Sequence, residues 1–315
     1  MPATHTDAPR ICALLLAILT AVAASPAVAE DVTVVDGGGR TVTVTDTSRI
    51  LSVGGDVTEI LYALGAGNSL VAVDTTSQFP PSALEEKKSV GYMRALSSEG
   101  VLSVGATVVI ASEAAGPPEV VKTLKGTSVP YVEVTEQSSP EGIAAKVALI
   151  AKVIGAKTRG EKLVQQMKAD FAVLAEQRAK IKHPLRALFV LAIQNGRLMV
   201  GGQTTSADAI IKLAGAINAA DGVKGFRPLP DEAVVELAPD VIFAMRRSGA
   251  SSEHDLSQIF ALKGVQATPA GKAKRIVMVD GQYMLGFGPR TPAAAHDLMS
   301  EFYPALAVTG GDAKR

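Results

Sequence analysis

From 140 to 182 the chain has helical periodicity, and this stretch constrains the rest. Its second part, 161–181, holds no glycine or proline. As one helix it runs about 30 Å at 1.5 Å per residue, with a break expected just before it, near 155–160. On both sides the pattern changes to short apolar runs alternating with helical segments. Upstream, strands are expected at 50–53, 70–73, 108–111 and 131–134, and helices at 57–64, 98–104 and 118–125. Downstream, strands fall at 186–191, 241–244 and 276–279, and helices at 207–213, 231–237 and 292–303. Strands alternating with helices imply a parallel, layered sheet. Ahead of them, 32–35 and 41–44 flank Gly37-Gly38-Gly39 and read as a β-hairpin.

The two flanking regions echo each other. Glu99-Gly-Val-Leu-Ser-Val-Gly-Ala-Thr-Val-Val-Ile110 matches Glu232-Ala-Val-Val-Glu-Leu-Ala-Pro-Asp-Val-Ile-Phe243. Each is a short helix opened by glutamate that feeds an apolar strand. A repeated unit on either side of a helical spacer implies two similar lobes. The expected fold is therefore α/β, with two Rossmann-like lobes joined by a single long α-helix. The expected division is an N-terminal lobe at 30–155, a linking helix at 156–183 and a C-terminal lobe at 184–315.

The first 29 residues read as a secretory signal peptide. Arg10 supplies the positive start and 11–24 an apolar run. Ala27-Val28-Ala29 is a small-x-small cleavage pattern, cut after Ala29. The run is shorter than the ~20 residues a spanning helix needs. Cys12, the chain's single cysteine, leaves with it, so the mature chain has no disulfide and no thiolate metal site. Acidic and basic residues balance at 31 each, which argues against nucleic acid as a partner. The chain shows no nucleophile elbow, phosphate loop or clustered acid–base set, so no catalytic activity is expected.

Ser89-Val-Gly-Tyr-Met-Arg-Ala-Leu-Ser-Ser-Glu-Gly100 resembles a segment of the periplasmic haem-binding proteins of ABC importers. Ser52-Val-Gly-Gly-Asp-Val-Thr-Glu-Ile-Leu-Tyr-Ala-Leu-Gly65 and Leu285-Gly-Phe-Gly-Pro-Arg-Thr291 agree with it. The likeness extends over nearly the whole mature chain and implies a helix-linked (class III) substrate-binding protein. It implies Tyr92 as the axial ligand of a ferric haem b. A phenolate is a hard oxygen ligand suited to ferric iron, but a free phenol holds its proton at neutral pH. A nearby cation helps iron displace that proton. Arg94 projects to the same side if the segment is extended and can donate to the phenolate oxygen.

Loops after the strands of the far lobe should supply the second wall of the cleft. Its candidates are Met199, Arg227, Arg246, Tyr283 and Phe287, because haem offers a flat apolar face and two propionates. The mature histidines, His183, His254 and His296, read as solvated or capping residues. Some relatives hold a second haem through a histidine in the region equivalent to 191–196. That stretch has none here, so one haem is expected. The resemblance also implies that Glu99 and Glu232 dock onto the permease of an importer that includes an ATPase. An outer-membrane haem receptor would act upstream, and the protein would be a monomer. Asp56 and Glu59 fit a capping box, with Asp56 as N-cap. The rival ligands are a siderophore or a corrinoid.

Overall fold

The computed structural model describes residues 31–246 and 252–307. The signal segment with its cleavage point, Cys12 and Arg247 lie outside the described residues, as does the side chain of His254. The hairpin forms as expected: β1 (Val32–Val35) and β2 (Thr41–Val44) pair antiparallel, with Val32 opposite Val44.

The first lobe then builds one parallel sheet. Its elements are β3 (Ile50–Val53), α1 (Gly55–Ala63), β4 (Leu70–Val73), α2 (Ser82–Glu86), β5 (Lys88–Ser89) and α3 (Ser98–Ser103). They are followed by β6 (Val108–Ser112), α4 (Pro118–Lys125) and β7 (Tyr131–Val134). The strand order is β5-β4-β3-β6-β7, parallel throughout. Strands covered on both faces need apolar residues at successive positions, and β6 shows why. Val109 and Ala111 pack with Val101 of α3 and with Val121 and Leu124 of α4. Val108 and Ile110 belong to a different cluster, with Val57 and Ile60 of α1.

The helical region divides into α5 (Pro140–Val153) and α6 (Lys157–Arg178). Gly160 lies inside α6 rather than at the break, which falls at 154–156. A Cβ at Gly160 would stand 2.4 Å from the Cβ of Ala151. The glycine thus lets the two helices approach closely; it does not interrupt α6.

The second lobe contains β8 (Arg186–Gln194), β9 (Arg197–Gly201), α7 (Ser206–Leu213), β10 (Ile217–Asn218), β11 (Phe226–Leu229), α8 (Asp231–Leu237) and β12 (Val241–Met245). Next come α9 (Ser252–Phe260), α10 (Lys263–Ala267), α11 (Pro269–Lys272), β13 (Ile276–Val279), α12 (Gly281–Leu285) and α13 (Thr291–Phe302). The strand order is β11-β9-β8-β12-β13, with β10 also on β8. The internal echo survives in three dimensions: β6 lies between β3 and β7, and β12 between β8 and β13. The antiparallel run β8-β9-β11 departs from the expected alternation. It turns on Asn195-Gly196, both at positive φ, a two-residue hairpin loop.

The architecture is α/β, two Rossmann-like lobes with one long helix between them. Each sheet has a private apolar cluster on one face. The other faces share a single cluster that includes Met167 and Leu174 of α6, Phe189 of β8 and Phe302 of α13. Among the described residues no helix is long and apolar enough to cross a membrane.

Candidate functional site

A cavity of about 720 Å³ opens between the lobes. Its lining comes from segments at the carboxyl ends of the parallel strands, where open α/β sheets place their ligands. Gly55 and Asp56 follow β3, Thr76 and Gln78 follow β4, Tyr92 to Arg94 follow β5, and Glu136 follows β7. The second lobe contributes Leu191, Phe226, Met245 and Arg246, and Asp280, Gly281, Gln282, Leu285 and Gly286. The volume lies within the ~300–1,000 Å³ usual for small-molecule sites.

Tyr92 is 45 % exposed and stands on a tight turn. Gly91 reaches φ +88° just before it, a conformation glycine adopts without a Cβ penalty. The Ala95 amide donates to the Tyr92 carbonyl, and the Gly116 amide to the Met93 carbonyl. The buried Met93 side chain pins the turn from below. The segment is therefore a turn, not the extended strand the alternation argument assumed. Arg94 nevertheless reaches the tyrosine: its Nη1 donates to Tyr92 Oη at 2.6 Å.

The support beneath this turn is a buried polar network. Asp74 accepts from the Gly54 amide at 2.8 Å and from both the amide and the hydroxyl of Thr76. Ser77 links Asp74 to Thr58, and Thr58 links on to Ser52. One carboxylate thereby fixes two of the loops that line the cleft.

Charge in the cleft is mixed. Lys146, 2 % exposed, donates to Asp56. Ser112 donates to Glu136. Glu136 is exposed to the open cleft, where the surrounding walls partly desolvate it. That desolvation and the neighbouring Asp56 raise its pKa, against the opposing pull of Lys146, the Ser112 hydrogen bond and Arg94. The far wall presents Arg246, whose amide donates to the Val279 carbonyl.

The other expected site residues divide. Met199 of β9 and Arg227 of β11 lie on antiparallel neighbours, opposite Pro228 and Val200 respectively, and neither lines the cavity. Phe226 does, and Arg227, the next residue of the strand, points to the opposite face. Met199 shares the Phe226 face but lies nearer the β8–β9 turn. Tyr283 also turns away from the cleft. In α12 it is Gly281, Gln282, Leu285 and Gly286 that line the cavity, one face of a short helix. Tyr283 donates instead to Asp297 at 2.9 Å, and burial raises its pKa. Phe287 is a core residue, 2 % exposed and packed in the shared cluster, so it cannot form a cleft wall. His183 and His296 do not line the cavity, and no group of three metal-ligating side chains occurs among the described residues.

Asp56 and Glu59 correct the capping-box expectation. Helix α1 starts two residues earlier, with Gly54 as N-cap and no side-chain cap. Asp56 is free to pair with Lys146, and Glu59 reaches the other lobe. It accepts from the Arg290 amide at 3.0 Å, from Nε at 3.0 Å and from Nη2 at 2.9 Å. The Arg290 guanidinium lies 3.6 Å from the ring centre of Phe79 and 5.0 Å from that of Tyr283. A planar cation suits both the carboxylate and the ring faces. Glu99 and Glu232 are both exposed and open α3 and α8 at equivalent places.

The sequence profile of the periplasmic binding protein family matches residues 50–283. Among solved structures, the apo form of the periplasmic heme-binding protein RhuT from Roseiflexus sp. RS-1 is 37% identical. It matches at a TM-score of 0.78, over 83% of this chain and 100% of that one. The periplasmic heme-binding protein BhuT in complex with two hemes is 35% identical at a TM-score of 0.75, over 82% and 98%. An uncharacterized ABC transporter substrate-binding lipoprotein of Bacillus subtilis (strain 168) is 26% identical, over 92% of this chain and 95% of that protein. A vitamin B12-binding protein of Vibrio cholerae serotype O1 is 26% identical over 66% and 72%.

Proposed function

Since this chain belongs to the periplasmic binding protein family, in its helix-linked class, we propose that it captures one haem in the inter-lobe cleft and delivers it to an ABC importer. The observation that carries this reading is the Tyr92–Arg94 pair. A phenol oxygen faces the cavity with a guanidinium 2.6 Å away. Ferric iron takes that oxygen as its axial ligand, and Arg94 offsets the negative charge of the phenolate. Leu191, Phe226, Met245 and Leu285 offer apolar contact to the porphyrin face, and Arg246 a cation for a propionate. The cargo on this reading is ferric haem b, one per chain. No histidine occurs at 191–196 to hold a second.

The protein acts as a monomer after export and cleavage behind Ala29, with an outer-membrane haem receptor supplying it. Its lobes divide at 155 and 184. Glu99 and Glu232 dock it on the permease of a permease–ATPase complex. A corrinoid is the second reading, favoured by the likeness to vitamin B12-binding proteins.

Titration with hemin separates the two. The expected result is a tyrosinate-type Soret band that saturates at one equivalent. Tyr92→Ala should lose that band. Arg94→Ala should keep a shifted one and bind about tenfold more weakly, a loss of about 1.4 kcal/mol. Tight binding of cyanocobalamin with hemin binding unchanged in Tyr92→Ala would sink the haem reading.

A further inference from the structure

Nine large apolar side chains are exposed among the described residues. Two of them occupy the same position of the internal repeat: Leu102, 42 % exposed, and Val235, 40 % exposed. Each follows an exposed glutamate by three residues, Glu99 in α3 and Glu232 in α8. That spacing puts carboxylate and apolar side chain on one face of each helix. On the opposite side Val101 and Val234 are buried in their lobes, so both helices are seated alike. A single exposed apolar residue is ordinary on any protein. The same carboxylate-plus-apolar pair at both ends of a duplicated fold matches a partner that presents one surface twice.

We propose that Leu102 and Val235 are apolar anchors of the docking surface, each entering a pocket beside the cation that pairs with Glu99 or Glu232. The occupant is the two-fold permease of the importer, and the inference rests on the docking reading above. The exposed glutamates make an anionic lipid surface the wrong counterpart. Charge pairs at a rim mainly guide encounter, whereas a desolvated apolar contact slows dissociation. The glutamates would therefore orient the protein, and Leu102 and Val235 would hold it. Helix α3 follows the Tyr92–Arg94 turn, and α8 follows β11, which carries Phe226. Each docking helix thus adjoins a wall of the cleft.

Cysteine cross-linking in cells tests this, because the only cysteine of the sequence is Cys12. Leu102→Cys, Val235→Cys, Glu99→Cys and Glu232→Cys would each carry a maleimide photocross-linker. Val173→Cys, at a position 53 % exposed on α6, serves as the control. The expected result is one permease polypeptide, identified by mass, captured from positions 102 and 235 but not from 173. Capture from 99 and 232 but not from 102 and 235 overturns the anchors and leaves docking intact. Capture from none of the four overturns docking itself, and lipid adducts at 102 and 235 point to a membrane surface instead. In a second measurement, Leu102→Ser and Val235→Ser should each weaken binding to the permease–ATPase complex in nanodiscs by about tenfold. Hemin titration should be unchanged in both. Unaltered complex affinity overturns the proposal.

Discussion

At position 136 the cleft holds a carboxyl group whose surroundings favour its neutral form. Partial desolvation by the cleft walls and the nearby Asp56 raise its pKa above the ordinary 4.5, although Lys146, Ser112 and Arg94 pull the other way. The sign of the consequence follows from linkage. The folded state holds the proton more tightly than the unfolded chain, so Glu136 costs stability once it ionises. Its cost is absent below about pH 4.5 and grows as pH rises through the raised pKa. Glu136→Gln keeps an acceptor for Ser112 and removes the charge. The variant should melt at a higher temperature than the parent near pH 7–8, and the gain should vanish near pH 4. A gain that persists at pH 4 would assign the effect to packing instead. At this scale the sequence was legible where a motif carried chemistry: Tyr92 and Arg94 meet as their segment implied. It was not legible where only residue type was used. Tyr283 and Phe287 are aromatic and lie close to the cleft in sequence, but the face of α12 and the φ of +48° at Phe287 direct both elsewhere. Glu136, two residues past β7, could have been found by reading every strand's carboxyl end as a cleft position.

The elements were legible where periodicity is strong. Helix α4, helix α8 and strand β13 begin and end where their apolar pattern does. The β8–β9 hairpin lies outside the expected pattern although Asn195-Gly196 is a strong two-residue turn signal, because the apolar run of β8 predicts a strand that stops at 191, before the turn, whereas β8 continues to Gln194. The α1 capping box failed for a tertiary reason. Glu59 satisfies Arg290 across the lobes rather than its own helix N-terminus. That contact joins α1 to the start of α13, and its energy can be isolated. Glu59 is largely buried and the Arg290 side chain is 29% exposed, so the pair is neither a solvated surface bridge nor a fully desolvated one. A double-mutant cycle with Glu59→Gln and Arg290→Ala should give a coupling of about 1–2 kcal/mol in chemical denaturation. Additive effects of the two changes would mean that Arg290 is held by Phe79 and Tyr283 rather than by the carboxylate.

Two lobes with separate sheets would ordinarily be expected to move and unfold separately, since interfaces between domains are often small and polar. This molecule is built differently. The inner faces of both sheets, α6 and α13 draw on one apolar cluster, and the Glu59–Arg290 contact spans the lobes at a second place. Opening the lobes widely would expose part of that cluster, at about 25 cal/mol for each Å² of apolar surface. A helix of 22 residues between the sheets also resists bending more than a pair of loops does. Both features favour a stiff cleft whose loops adjust around the cargo while the lobes hold their relative orientation. The shared core further couples the stability of one lobe to that of the other. Chemical denaturation followed separately by a probe in each lobe should therefore give coincident transitions. X-ray scattering with and without hemin should show little change in radius of gyration. Two separated transitions, or a large compaction on binding, would place the hinge inside the shared cluster and contradict a rigid cleft.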